Sequence, residues 1–346
     1  MKTTAPAAPL VPMTTPPPNP LEDLSRLLAS DMAETNKLIL ERMQSEIPLI
    51  PQLAGYLIAA GGKRIRPLMT LASTRLFDND TDRAYRLAAA VEFIHTATLL
   101  HDDVVDESNQ RRGQASANAV FGNQSSVLVG DFLFSKSFEL MVEDGSIEVL
   151  GILSKASAII AEGEVLQLSI QNSLETTLNQ YERVIAAKTA ALFAAACEIG
   201  AVITDQSAPI QKSLHDYGHH VGMAFQIADD ILDYQSSSEE LGKSIGDDFK
   251  EGKMTAPVIF ALESAQKSSS KEELDFWART IGNKDITDND LKQAQSLIKK
   301  TGSDTKTIKL AENHIQKAHN ALEILEESHI KSLFLDLANY TLHRKN

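Results

Sequence analysis

The stretch LLHDDVVDESNQRRG (residues 99–113) ends a long apolar, helix-like run with three aspartates, Asp102, Asp103 and Asp106. The same spacing returns in FQIADDILDYQ (residues 225–235) as Asp229, Asp230 and Asp233. The first and last aspartate of each triplet lie one helical turn apart and share a face, with the second angled to one side. Three carboxylates so close repel one another, and the negative end of the helix dipole adds to the cost. A cation offsets both. Hard divalent ions such as Mg²⁺ take oxygen ligands, bind few carboxylates, keep waters and bridge to phosphates. The two clusters therefore read as facing carboxylate sets that share a magnesium-bound diphosphate. A lone triplet is as readily a solvated helix end; two copies, each behind apolar sequence, argue against that.

Outward from the triplets, apolar residues recur at three- and four-residue spacing and strictly alternating runs are absent, so the chain reads as all-α. The first helix is expected at Asn19-Pro20-Leu21-Glu22-Asp23, with Asn as cap, Pro at the first helical position and acids in the first turn. Further helices are expected at about 48–60, 64–76, 82–106, 124–142, 146–171, 174–203, 208–236, 253–267, 271–281, 287–301 and 305–343. Charge concentrates in three stretches that break the pattern, residues 61–67, 107–113 and 236–253. Loops on a rigid scaffold are common homes for function. From Glu272 onward the chain reads as scaffold, a partner surface or a tunnel wall. Residues 1–18, rich in Pro, Ala and Thr with one Lys and no apolar core, read as a disordered tail and not as a signal peptide. Residues 19–346 read as one domain.

Composition narrows the class. Of 346 residues, 43% are hydrophobic and 23% charged, as in a soluble globular protein. The formal net charge of −14 argues against a nucleic-acid surface and against standing attachment to anionic lipid. Cys197 is the only cysteine, which excludes an intrachain disulfide or a thiolate zinc cluster, and in AALFAAACEIGA it reads as a buried small residue. No uninterrupted apolar run is expected to reach the roughly 20 residues of a membrane span. A cytoplasmic location is expected.

The segment GGKRIRP (residues 61–67) sets Lys63, Arg64 and Arg66 at a helix start behind two glycines. Arg grips phosphate oxygens through its planar fork and Lys as a point charge, and free amides at a helix start add to an anion site. Arg111 and Arg112 follow the first triplet by a short loop and can fold back toward it. Basic residues thus suit a metal-free diphosphate and the acids a metal-bound one. His95, two turns before Asp102, reads from the residues alone as a satisfied core histidine. His215 and His219 lie one turn apart but lack a third zinc ligand.

Taken together, GGKRIRP, the HDDVVD…RRG block, Lys188-Thr189, Phe225-Gln226-x-x-Asp-Asp-x-x-Asp and Gly242-Lys243-x-x-Gly-x-Asp-x-x-Glu-Gly-Lys-x-Thr resemble the trans-isoprenyl diphosphate (polyprenyl) synthases, in the right order over residues 60–257. The resemblance implies the all-α isoprenoid synthase fold around a central cavity, a homodimer, and head-to-tail addition of isopentenyl diphosphate to an allylic diphosphate. It implies Asp102, Asp103, Asp106, Asp229, Asp230 and Asp233 as ligands of a magnesium cluster on the allylic diphosphate. Arg111, Lys188, Lys243 and Lys253 would bind the same diphosphate. Lys63, Arg66, His95 and Arg112 would bind isopentenyl diphosphate, with Arg64 in support. Thr189 and Gln226 would stabilise the cation left by ionisation, and the released diphosphate would take the proton.

In this family the product grows beside the helix of the first triplet, and bulky residues one turn before it truncate the chain. Ala97 and Thr98 stand there, both small, which implies a long-chain product of eight to ten units, of the kind used for quinone side chains. Transient membrane contact would serve its release. Phe132, Phe138 and Met141 read first as a packing face and second as a tunnel floor. Val221 and Ala256 replace the leucines common in the family's pattern, away from the chemistry. Other readings are a short-chain synthase, disfavoured by Ala97 and Thr98; a terpene cyclase, disfavoured by the second basic site; a non-catalytic subunit of a heteromeric synthase, which need not keep both triplets; and a helical scaffold.

Overall fold

The computed structural model describes residues 19–59, 61–79, 81–111, 113–235 and 246–343. The helices are α1 (Pro20–Leu27), α2 (Ala29–Arg42), α3 (Leu49–Ala59), α4 (Ile65–Arg75), α5 (Asp82–Val105), α6 (Ala117–Phe121), α7 (Asn123–Asp144), α8 (Ile147–Ile170) and α9 (Leu178–Ile185). They continue as α10 (Ala191–Val202), α11 (Ala208–Gln235), α12 (Asp247–Glu251), α13 (Ala256–Ser268), α14 (Lys271–Trp277), α15 (Asp290–Lys300), α16 (Ser303–Ala321) and α17 (His329–His343).

Helix α1 begins as its sequence dictates: the Asn19 side chain accepts from the Glu22 amide and Pro20 opens the first turn. Helix α5 starts at a Thr81 cap and is buried on every side through Ala88, Ala89, Ala90 and Val91. A helix without a polar face belongs at the centre. It packs between α4, α7 and α10, and α11 packs against α10 and α16. One core cluster gathers around α5, α10 and α17, and a second around Tyr234, Phe249, Phe276 and Trp277.

Several features depart from the pattern reading. A two-residue antiparallel ribbon, Gln110–Arg111 with Gln114–Ala115, turns the chain back behind the first triplet. The helix expected from 174 starts at Leu178, where Thr177 and Gln180 form a capping box, and a π turn at Ala186–Ala190 interrupts it. The run expected over 305–343 breaks at a 3₁₀ turn, Leu322–Ile324, with Leu325 extended. Residues 247–251, expected outside any helix, form α12. By length and composition Leu178–Val202 is long and apolar enough to cross a membrane, although Glu182, Arg183, Lys188 and Glu198 interrupt its apolar run. Its most apolar window is 72% buried inside the fold, which accounts for its apolarity.

Candidate active site

The first triplet closes α5, with Asp106 as its C-cap. Asp102 and Asp106 look across a cleft at two lysines, and Asp103 does not join them. Lys188 Nζ lies 2.8 Å from Glu164 Oε2 on α8 and 3.5 Å from Asp102 Oδ2. Lys253 Nζ lies 2.5 Å from Glu251 Oε2, 3.5 Å from Asp106 Oδ2 and 3.6 Å from Asp248 Oδ1. Asp103 is 2% exposed, and its Oδ1 accepts from Arg111 Nε at 2.7 Å and Nη2 at 2.5 Å. The turn that returns Arg111 is the short ribbon, so Arg111 is committed to the triplet's own carboxylate.

The π turn explains how one short segment serves both triplets. Gly163 of α8 meets it so closely that a Cβ there would come within 2.6 Å of Ala187 Cβ, and a Cβ at Gly222 of α11 within 2.6 Å of Ala190 Cα. The extra residue of a π turn re-aims successive side chains, a device frequent at functional sites. Lys188 is directed to Asp102, while the next residue, Thr189, donates through Oγ1 to Gln226 Oε1 at 2.8 Å. Gln226 Nε2 donates to Asp230 Oδ1 at 2.9 Å, and Tyr181 Oη donates to Asp230 Oδ2 at 2.6 Å. Asp233 accepts from the amides of Gly246, Asp247 and Asp248 at 3.1, 3.3 and 3.2 Å. Its carboxylate therefore sets the segment that carries Asp248, Glu251 and Lys253.

Burial and mutual repulsion dominate the electrostatics. Desolvation raises the Asp102 carboxyl above the ordinary range, Asp106 adds to this, and Lys188 offsets part of it. Lys188 is itself raised: burial works against its charge, but Asp102 and Glu164 outweigh it. The lysine is thus held charged while its aspartate stays under-compensated. Lys253 is likewise held up by Asp248, Asp106 and Glu251 against burial. Desolvation and Asp248 push Asp230 well up, and burial with Asp248 and Asp247 pushes Asp233 to about 7 despite its backbone donors. A cleft of about 600 Å³, partly open to solvent, runs among Gln167, Ile185, Lys188, Thr189, Asp230 and Lys253. Among the described residues no three acidic, histidine or cysteine side chains form a ready metal cage.

A second cationic centre adjoins the first. Arg66 Nη1 lies 3.1 Å from His95 Nε2, and its guanidinium stacks 4.4 Å from the Phe193 ring centroid. Burial lowers Arg66 to about 10, with the Glu92 and Asp229 carboxylates opposing. Arg64 takes a left-handed φ of 44° and pairs with Glu92 at 3.5 Å, outside the cluster. Exposed Lys63 borders a small apolar cavity with Ile65, Phe193, Phe225, Leu337 and Tyr340. His95 is thus a polar partner of Arg66, which the residues alone did not suggest. Ala97 is 1% exposed, and Thr98 donates to the His95 carbonyl at 2.8 Å; neither borders the 600 Å³ cleft. Phe138 is 36% exposed on α7 and Met141 is buried. Arg112, Gly242 and Lys243 lie outside the described residues.

Glu164, Tyr181, Asp248 and Glu251 escaped the sequence reading. Asp248 and Glu251 stand in the quoted Gly-x-Asp-x-x-Glu-Gly-Lys pattern and carried a signal; Glu164 and Tyr181 carried none, since their partners are distant in sequence.

A family model described as polyprenyl synthetase matches residues 47–298. Octaprenyl diphosphate synthase of Escherichia coli (strain K12) is 41% identical over 324 residues, 94% of this chain and 99% of that protein. A solved polyprenyl synthase from Caulobacter crescentus CB15, complexed with calcium and isoprenyl diphosphate, superposes with a TM-score of 0.90 at 48% identity, covering 94% of this chain and 98% of that one. A decaprenyl diphosphate synthase from Rhodobacter capsulatus superposes with a TM-score of 0.89 at 49% identity, covering 94% and 99%.

Proposed function

The chain belongs to the polyprenyl synthetase family, and we propose that it adds isopentenyl diphosphate units head to tail to an allylic diphosphate, giving an all-trans product of eight to ten units. One observation carries the reading: consecutive residues of a single π turn reach toward both triplets, Lys188 facing Asp102 directly and Thr189 reaching Asp230 through Gln226. The octaprenyl and decaprenyl names of near relatives support the product class. A cytoplasmic location, with transient membrane contact for product release, belongs to the same reading.

The residues fit a divalent ion such as Mg²⁺. Asp102 and Asp106 offer hard oxygens on one face of α5, and the under-compensated Asp102 favours added positive charge. Asp102 and Asp106, with Asp229 of the facing triplet, would hold the ion, while Asp103 pairs with Arg111, Asp230 accepts from Tyr181 and Gln226, and Asp233 accepts from backbone amides. This narrows the six-aspartate ligand set, and it makes Arg111 a support of Asp103 ahead of a diphosphate ligand. Bound there, the metal supplies positive charge opposite the charge growing on the departing diphosphate.

The chain's own groups do the rest. Lys188 and Lys253 add fixed positive charge beside the leaving group, where low dielectric strengthens it. Asp230 takes the Gln226 N–H, which turns the amide oxygen toward Thr189; the two oxygens then face the allylic carbon as its C–O bond breaks. Lys63, Arg66 and His95, with Arg112, hold the second diphosphate so that the isopentenyl double bond lies against that carbon. Its π electrons form the new C–C bond, and loss of a proton to the released diphosphate restores a double bond. Apolar walls keep water from the cation.

A homodimer is part of this reading. Exposed Leu128 and Val142 on α7, with Ile147, Val165 and Leu168 on α8, form an apolar face that a second copy would cover. The test is to incubate the purified chain with Mg²⁺, labelled isopentenyl diphosphate and farnesyl or geranylgeranyl diphosphate, then size the dephosphorylated products. Products of eight to ten units support the reading. C15–C20 products from a shorter primer would keep the chemistry and overturn the length; a folded chain with no elongation would favour the partner-subunit reading.

A further inference from the structure

Each lysine that faces the first triplet is gripped more closely by a glutamate than by the aspartate it faces. Lys188 Nζ stands 2.8 Å from Glu164 against 3.5 Å from Asp102, and Lys253 Nζ 2.5 Å from Glu251 against 3.5 Å from Asp106. The two glutamates come from different elements, α8 and the end of α12. The second is itself braced: Gln171 Nε2 donates to the Glu251 carbonyl at 3.0 Å, and the Asn172 amide donates to the Gly252 carbonyl at 3.2 Å. A Cβ on Gly252 would meet Asn172 Oδ1 at 2.0 Å, so the brace also requires glycine there.

We propose that Glu164 and Glu251 are positioning residues that anchor Lys188 and Lys253 as resident counter-cations of Asp102 and Asp106, and that the lysines exchange these aspartates for diphosphate oxygens when metal and substrate bind. This rests on the reading of the cleft as a metal–diphosphate site and concerns the order in which it fills. An ammonium group beside each aspartate occupies the ground a divalent ion needs. Metal alone must displace it against like-charge repulsion, whereas metal with diphosphate gives the lysine a new anion without breaking its bond to the glutamate. Metal and diphosphate therefore bind as a synergistic pair.

Mn²⁺ titration of the full chain, followed by electron spin resonance with and without inorganic pyrophosphate, tests this without turnover. Wild type binds Mn²⁺ weakly alone and more tightly with pyrophosphate. Lys253→Met and Lys188→Met each bind Mn²⁺ alone about tenfold more tightly, because a cation next to the site is gone, and lose most of the pyrophosphate enhancement. Structural damage does not raise metal affinity, so the sign separates the two. Lys250→Met, which removes a charge from an exposed pair with Asp247, leaves both affinities unchanged. Glu164→Gln and Glu251→Gln keep the lysines but loosen them, and pyrophosphate affinity in Mn²⁺ falls about tenfold, one charge-assisted bond's worth. Unchanged or weaker Mn²⁺ binding in both lysine variants, with wild-type melting, would overturn the exchange. Wild-type pyrophosphate affinity in both glutamine variants would overturn the anchoring. If wild type binds no Mn²⁺ even with pyrophosphate, the metal–diphosphate reading itself fails, and the exchange with it.

Discussion

Replacing Arg111 by Leu separates a structural role from a substrate role. Asp103 is 2% exposed, and both Arg111 nitrogens donate to its Oδ1. Removing one partner of a buried ion pair costs about 3–5 kcal/mol because a charge is left uncompensated. The Arg111 side chain is 33% exposed, so water replaces part of the loss and about 3 kcal/mol is expected. In a chain of this size that corresponds to a midpoint drop of roughly 4 °C. Asp103→Asn alone leaves the arginine able to reach water and costs about 1.5 kcal/mol. The double variant loses less than the sum, with a coupling of about 1.5 kcal/mol or more. Thermal and urea denaturation of the four proteins give the cycle. An Arg111→Leu midpoint within about 1 °C of wild type, or no rescue by Asp103→Asn, refutes the reasoning. A stable double variant with unaltered KM for the allylic diphosphate would confirm that Arg111 acts through Asp103.

Tyr181→Phe removes the 2.6 Å donor to Asp230, which frees Asp230 to rotate away from Gln226. We expect kcat to fall about tenfold with little change in KM for either diphosphate, as for a group felt at the transition state; a raised KM at unchanged kcat would contradict this. Ala97→Phe adds bulk at a position 1% exposed, costing about 1–3 kcal/mol by overpacking and shortening the products; full-length products would exclude a tunnel along this face of α5. Burial holds His314 at about 3, with His220, Lys317 and His219 opposing its charge, and His220 at about 4, with His219, Lys317 and His215 opposing and Asp216 favouring its charge. Their Nδ1 atoms lie 3.1 Å apart, and His314 Nε2 is 3.8 Å from Glu182. Both values lie below the free value of about 6.5, so the stability these neutral imidazoles contribute is complete above that pH and is lost as pH falls toward 4. His314→Asn flattens this acid limb, and an unchanged urea midpoint profile between pH 7 and 4 would remove the pair from the account.

The sequence was readable wherever function and local structure use the same residues. Helix α5 announces itself by its apolar run, its Thr81 cap and its terminal aspartates, all local signals. The pairing of Asp102 with Lys188 was visible only through family resemblance, and that of Lys188 with Glu164 not at all, because both depend on a π turn that no periodicity encodes. The turn follows from how closely α8 and α11 approach through Gly163 and Gly222, a tertiary property. The break at Leu322–Ile324 escaped notice because apolar spacing continues across it while the hydrogen-bond ladder does not.

The six aspartates differ in what they contact, and the difference follows from helix geometry. In the first triplet the helix turns the second aspartate aside, so Asp103 meets Arg111 while Asp102 and Asp106 remain one turn apart facing Lys188 and Lys253. In the second triplet, Asp230 and Asp233 are drawn into holding Gln226 and the 246–248 amides, and the Asp229 carboxylate favours the charge of Arg66. The triplets are thus not mirror images: in the first, Asp102 and Asp106 face lysines, and in the second, Asp230 and Asp233 hold a side-chain amide and backbone amides. Such a division fits chemistry in which Lys188 and Lys253, beside Asp102 and Asp106, would receive the departing diphosphate, while Thr189 and Gln226, fixed through Asp230, would stay with the carbon it leaves behind.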